Sequence, residues 1–135
     1  MQRRLTAAEY RASLGKGKKR NKYGAKRTKG RDGRTYDSKA EARVADELYH
    51  KKQAGEIEDY FPQMRVAFSS EITWRCDFMV VSYSCKDSWG VDVCRVRFIE
   101  VKSRATEKAQ RWRDIQKLLK KEKPWIWERL EVRVS

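Results

Sequence analysis

A single α/β domain, a mixed β-sheet covered by helices, is the fold class that three features of the sequence predict. The first is a capped amphipathic helix over residues 38–53. The second is a run of three strand-like segments, at 57–68, 72–82 and 91–103, rich in Val, Phe, Met and Ile. The third is another helical pattern to about Lys121, followed by a short apolar run at 130–134. The order is helix, three strands, helix, strand, which suits one sheet with helices packed on it. A chain of 135 residues holds one such domain with a real core and is too short for two.

Residues 1–35 stand apart as a basic N-terminal arm, with the domain predicted over 36–135. Thr6 caps a short helix that Gly15 ends. From Gly15 to Arg34 the chain has five glycines and ten Lys or Arg with almost nothing apolar, so it cannot build a core. Lys18, Lys19, Arg20, Lys22, Lys26, Arg27 and Lys29 are the candidate phosphate contacts, and Tyr23 a stacking or anchoring residue. The alternative is a solvated tail. Asp32-Gly33 signals a turn, after which Arg34-Thr35-Tyr36 forms an edge strand leading back to the domain.

In the first helix Ser38 is the cap, Ser38-Lys39-Ala40-Glu41 matches a capping box, and Gly55 supplies the stop. Val44 and Leu48 lie three and seven residues beyond Glu41, so Glu41 shares their buried face. It can serve the cap, a site, or both. Pro62 opens a strand in which Met64, Val66 and Phe68 alternate with Arg65 and Ala67. The 72–82 segment is apolar on both faces and therefore central. Lys86-Asp87-Ser88-Trp89-Gly90 reads as a hairpin tip, and Val91–Ser103 as the returning strand. Ser103 or Thr106 caps the second helix, with Trp112, Ile115, Leu118 and Leu119 inward and Lys108, Arg111, Arg113 and Lys117 on a basic side. Pro124 breaks that helix, and the crossover allows Leu130–Val134 to run parallel to an earlier strand.

Charge narrows the partner. The net charge is +14, and residues 1–35 carry thirteen Lys or Arg against only Glu9 and Asp32. The other hundred residues are nearly balanced, twenty basic to seventeen acidic. A polyanion, nucleic acid by default, is therefore met mainly by the arm. A membrane is disfavoured, because the arm has few bulky apolar residues to insert. No apolar run approaches the roughly 18 residues of a span, and the N-terminus has no signal-like segment, so a cytoplasmic location is expected. His50 is the single histidine, which excludes two-histidine chemistries. Cys76, Cys85 and Cys94 lack zinc-ligand spacing and read as structural thiols, with a Cys85–Cys94 bridge the less favoured reading.

The segment Val96-Arg97-Phe98-Ile99-Glu100-Val101-Lys102 ends in chemistry. Alternation puts Val96, Phe98, Glu100 and Lys102 on one face. Asp77 interrupts the neighbouring apolar run. Buried charges need each other, a cation, or water at a cleft. Asp77 and Glu100 suit direct ligation of Mg²⁺, with Mn²⁺ as a substitute, and Glu41 suits contact through a water. Lys102 suits orienting or deprotonating an attacking water. Read alone, Glu100 and Lys102 are equally an exposed ion pair of little worth.

In combination, Glu41, Asp77 and Glu100-Val101-Lys102 resemble the PD-(D/E)XK nuclease superfamily. Asn21-Lys22-Tyr23-Gly24-Ala25-Lys26-Arg27 and Tyr36-Asp37-Ser38-Lys39-Ala40-Glu41-Ala42 resemble a group of small phage-borne nucleases likened to Holliday junction resolvases. Gly55-Glu56-Ile57, Pro62-Gln63, Asp77-Phe78 and Ile99–Lys102 extend that likeness, which spans about residues 21–105. Cys76 stands where proline often precedes the aspartate. The resemblance implies a restriction-endonuclease-like αβββαβ core, metal binding by Asp77 and Glu100, Lys102 as catalytic lysine, and Glu41 as auxiliary acid. It suggests Gln63 as a phosphate or water contact. The implied activity is Mg²⁺-dependent endonuclease cutting of four-way or branched DNA in phage recombination or replication, by a homodimer. A non-catalytic nucleic-acid-binding module and a nuclease of flaps or duplex stay open beside it.

Overall fold

A computed structural model describes residues 26–82 and 85–135. Two short strands come first, β1 (Thr28–Lys29) and β2 (Thr35–Tyr36), then α1 (Lys39–Gln53). Strands β3 (Asp59–Ala67) and β4 (Thr73–Val81) follow, then the small pair β5 (Cys85–Lys86) and β6 (Asp92–Val93), and β7 (Val96–Lys102). Helices α2 (Arg104–Glu107), α3 (Gln110–Glu122) and α4 (Pro124–Trp127) lead to β8 (Leu130–Val134). No helix among the described residues is long and apolar enough to cross a membrane.

The main sheet has the order β3-β4-β7-β8. Its first two pairings are antiparallel, and β8 runs parallel to β7, with Glu100 opposite Val132. The mixed α/β sheet read from the sequence is thus present, and so is the parallel closing strand. On one side Leu48, Ala45 and Val44 of α1 pack with Tyr60, Phe78, Val80 and Ile99. On the other, Trp112, Ile115 and Leu119 of α3 and Ile126 of α4 pack with Val66, Trp74, Cys76 and Phe98.

The strands change phase halfway along. Tyr60 and Val80, a cross-strand pair, face α1, whereas Met64–Cys76 and Val66–Trp74, in the same register, face α3. Regular alternation would keep all of them on one side. The change falls at Gln63 and Asp77, which oppose each other in the gap between the Pro62–Phe78 and Met64–Cys76 pairs. Gln63 has φ 57°, a left-handed backbone that a non-glycine residue adopts rarely. Asp77 therefore belongs to neither phase, and its side chain leaves the strand near the plane of the sheet.

Caps fix α1 as its sequence requires. Ser38 Oγ accepts the Glu41 N–H at 3.1 Å, and Gly55 at φ 76° closes the C-terminus, its N–H bonded to Lys52 O at 3.1 Å. The single second helix is not observed. Ser103 caps the short α2 in a capping box with Thr106, and the chain restarts at Ala109 before α3. Val91–Ser103 is likewise two pieces, because Cys94 and Arg95 interrupt the ladder between β6 and β7. The Cys85–Cys94 bridge does not form, and all three cysteines are thiols.

Residues 34–36 do not make an edge strand of the main sheet. β1 and β2 pair with each other, Thr28 opposite Tyr36. A knot of side chains ties this hairpin down: the Tyr36 and Tyr60 hydroxyls both donate to Asp32 Oδ2, and the Arg34 N–H donates to Oδ1 at 3.0 Å. The Arg31 N–H reaches Asp46 Oδ1 on α1 at 2.8 Å. The helix over residues 6–15, Tyr23, and the arm residues Lys18, Lys19, Arg20 and Lys22 lie outside the described residues.

Candidate active site

The ladder between β4 and β7 stops at Phe78–Ile99, and side chains take over its donors. The Val101 N–H donates to Asp77 Oδ2 at 2.7 Å, and the Asp77 N–H to Glu100 Oε2 at 3.2 Å. Each strand is thus pinned by the other's carboxylate, which satisfies two backbone donors and fixes both acids. Asp77 is 8% exposed and Glu100 2%, an unusual depth for two carboxylates.

Lys102 closes the group. Its Nζ lies 2.6 Å from Glu100 Oε1 and 4.8 Å from the centroid of the Trp112 ring. The ring below and the carboxylate beside it hold the ammonium by cation–π and ionic attraction. The predicted face is therefore observed: Val96 and Phe98 enter the α3 core, and Glu100 and Lys102 continue it. Glu41 approaches from the opposite layer, on α1. Its Oε1 accepts from Ser38 Oγ at 3.4 Å, while Oε2 is buried and without a hydrogen-bond partner.

The three acids feel one another. Burial first, then the negative charges of Glu100 and Glu41, pushes the Asp77 carboxyl far above the usual carboxylate range. Burial raises Glu100 as well, against the pull of Lys102 and the Asp77 amide. Glu41 is raised by burial, by Asp37 and by Glu100. One lysine does not offset three acids. Among the described residues no three His, Cys, Asp or Glu side chains come together closely enough to hold a metal ion. Two carboxylates are pinned to backbone amides, and one oxygen of Glu41, on the helix packed against the sheet, is orphaned. Such a donor set suits a hard cation that keeps several waters, rather than an all-protein cage.

Comparison with family models, curated protein sequences and solved structures finds no match. The geometry of the chain's own residues is what bears on function.

That geometry brings together Asp77, Glu100 and Lys102, with Glu41 within electrostatic reach on α1. By register alone Gln63 falls on the same row as Asp77 and Glu100, opposite Asp77 in the gap of the β3–β4 ladder and beyond the last β4–β7 pair. The described arm residues do not join them. Lys26 and Lys29 are exposed near the β1–β2 hairpin, and Arg27 pairs with Asp37 at 3.6 Å. Sequence reasoning missed two tryptophans. The Trp74 and Trp112 ring centres lie 6.0 Å apart, the planes tilted by 41°, and both indole N–H groups are buried without a partner. The Trp74 N–H faces Glu100 and draws its pKa down without completing a hydrogen bond. Trp112 was placed only as core. Its position ten residues after Lys102, at the start of the returning helix, is the signal that could have linked them.

Proposed function

We propose that the chain is a nuclease of the PD-(D/E)XK superfamily, a Mg²⁺-dependent DNA endonuclease that cuts four-way or otherwise branched DNA. One observation carries the reading: two buried carboxylates, each pinned by an amide at the strand seam, meet one lysine where two strands part, with the Glu41 charge near enough to raise the Asp77 pKa. A purely structural ion pair has no use for the two extra acids. In this reading Asp77 and Glu100 hold the cation and Glu41 approaches it through a water. The cation supplies charge neutralisation at the phosphate and acidifies the attacking water. Lys102 orients that water and takes part of the charge that builds on the phosphate. The Trp112 ring keeps the ammonium pointed at the site, and the Val101 and Asp77 amides keep the carboxylates from turning away.

The surface supports a phosphate backbone as the partner. Lys108, at the end of α2, and Arg111, Arg113 and Lys117 of α3 are all exposed, around the buried Trp112, Ile115 and Leu119. Contacts of this kind read charge and shape rather than sequence, which suits selection of a branch. A four-way junction has two-fold symmetry and two strands to cut, so the acting form is a homodimer.

The test is cleavage of four-way junction, nicked, flapped and linear DNA at one salt concentration with Mg²⁺. The junction is cut at least about ten-fold faster than linear duplex, a difference on the order of 1.4 kcal/mol in the barrier. Equal rates would remove the junction from the proposal. Cutting lost in Glu100→Ala but kept in Asp77→Ala would remove the site. A second reading, a nucleic-acid-binding module without catalysis, is favoured by the closed Lys102–Glu100 pair. It predicts no heat of Mg²⁺ binding that Asp77→Asn abolishes, so calorimetric titration of the two proteins separates the readings.

A further inference from the structure

Beside the acids lies a surface that the proposed chemistry does not use. A groove of about 320 Å³ opens between α4 and the middle of the sheet. Its floor is Met79 and Phe98, one wall is Met64 to Ala67, and the other is Trp125 and Ile126. Each sheet residue starts close to the Gln63–Asp77–Glu100 row: Met64 follows Gln63, Met79 lies two residues beyond Asp77, and Phe98 two before Glu100. Trp125 sets its ring edge-on to Phe98 at 5.8 Å and stays 53% exposed, an apolar plane left open to the groove.

The rim is cationic. Arg65 and Lys123 flank the groove itself. Next to it is a second pocket, about 450 Å³, walled by Arg95, Arg97 and Arg129 together with Ser82, Cys94 and Val96. The two are joined through Arg129, whose Nη1 donates to Trp125 O at 2.9 Å. Among the described residues Glu131 takes Arg97 at 3.4 Å, and Glu58 approaches the Cys94 thiol at 3.8 Å. No carboxylate among the described residues pairs with the Arg95 or Arg129 guanidinium. A flat apolar ring beside clustered guanidinium groups matches a polymer of alternating bases and phosphates, because each half of a nucleotide meets its own partner. A duplex hides its base faces and cannot use the ring.

We propose that the Trp125 groove and the arginine pocket form a track for a single-stranded nucleic-acid segment, a base stacking on Trp125 and a phosphate held by Arg95 and Arg129. The track rests on the nucleic-acid reading of the neighbouring acids and names its substrate class as branched DNA with an unpaired tail. The tail leaves the cutting site along β7 and over α4.

Affinity of the full chain is measured in EDTA by fluorescence anisotropy, for a single-stranded 12-mer, an abasic strand of equal length, and a blunt duplex. Trp125→Ala weakens the single strand about five-fold or more, the loss of one stacked base, and Trp125→Phe restores most of it. Arg95→Gln lowers the slope of log affinity against log salt by about 0.7, one single-strand phosphate contact. Neither variant changes the blunt duplex. The proposal is overturned if wild type binds the abasic strand as tightly as the base-bearing one, or if Trp125→Ala weakens strand and duplex equally. A salt slope unmoved in Arg95→Gln overturns it too, as does a shift of the free protein's mass in sedimentation with Trp125→Ala, which would mean that a second copy covers the groove. Failure of the nuclease reading shows separately, as no Mg²⁺-dependent cutting with single-strand binding intact.

Discussion

Asp77→Asn abolishes Mg²⁺-dependent cleavage and, in the absence of divalent cation, makes the protein more stable. The first effect follows if Asp77 is one of the two direct ligands proposed above: several kcal/mol of transition-state stabilisation and a rate loss of about 10³-fold or more. The second follows from the acids' mutual repulsion. Burial and the charges of Glu100 and Glu41 raise the Asp77 pKa, so the folded chain binds protons that the unfolded chain releases. Stability contributed by that proton is present below the ordinary carboxylate pKa of about 4 and falls as pH climbs toward the raised value. Asparagine keeps an oxygen for the Val101 N–H and removes the charge. Its gain at neutral pH is on the order of 1 kcal/mol, a few degrees in Tm. Thermal melts of both proteins from pH 5 to 8 in EDTA check the sign: wild type loses stability with rising pH, and the variant loses less. Saturating Mg²⁺ restores wild type and leaves the variant unmoved, by the linkage of ligand binding to folding. A variant less stable than wild type at pH 8 in EDTA would mean that the acids do not strain the fold.

Phe78→Ala has the largest structural effect. Phe78 is fully buried in the middle of β4, beside Asp77, with the Tyr36 ring at 5.7 Å and the Tyr60 ring at 6.4 Å. Truncation leaves a cavity between the sheet and α1 and costs roughly 3–5 kcal/mol, lowering Tm by roughly 10–20 °C in a domain of this size. The β1–β2 hairpin also loses its seat, since Tyr36 and Tyr60 are the rings that carry the Asp32 knot. Hydrogen exchange reads this directly: the Gly30 and Arg34 amides lose protection in Phe78→Ala well before the β4 amides do. Uniform loss across the domain would mean that the hairpin and sheet open together.

What the sequence revealed was local. Ser38 and Gly55 marked α1 because caps act within one turn. Glu100 and Lys102 could be placed on the Phe98 face because β7 keeps a strict alternation. What stayed hidden depends on distant contacts. Asp77 was legible as a charge in an apolar run, but its place between two strand phases follows from the left-handed backbone at Gln63, a choice no side chain there advertises. The break before Ala109 escaped notice because neither Lys108 nor Ala109 disfavours a helix. Tyr36 looked like the end of an edge strand. Its burial depends on Tyr60 and Phe78, far along the chain. Trp112 looked like core and is core, yet the same ring also carries Lys102.

The buried thiol at Cys76 gives this protein a built-in clock. Its Sγ lies against Phe78 O at 3.4 Å and Ile99 O at 3.5 Å, on the two sides of the β4–β7 seam. Burial and the nearby acids push that thiol far above its ordinary pKa, so it is inert to alkylation while the seam is shut. Cys85 and Cys94 are exposed on and beside the small hairpin, so an alkylating reagent reaches them before Cys76. Two labels therefore appear in a burst, and the third arrives at the pace at which the two strands part.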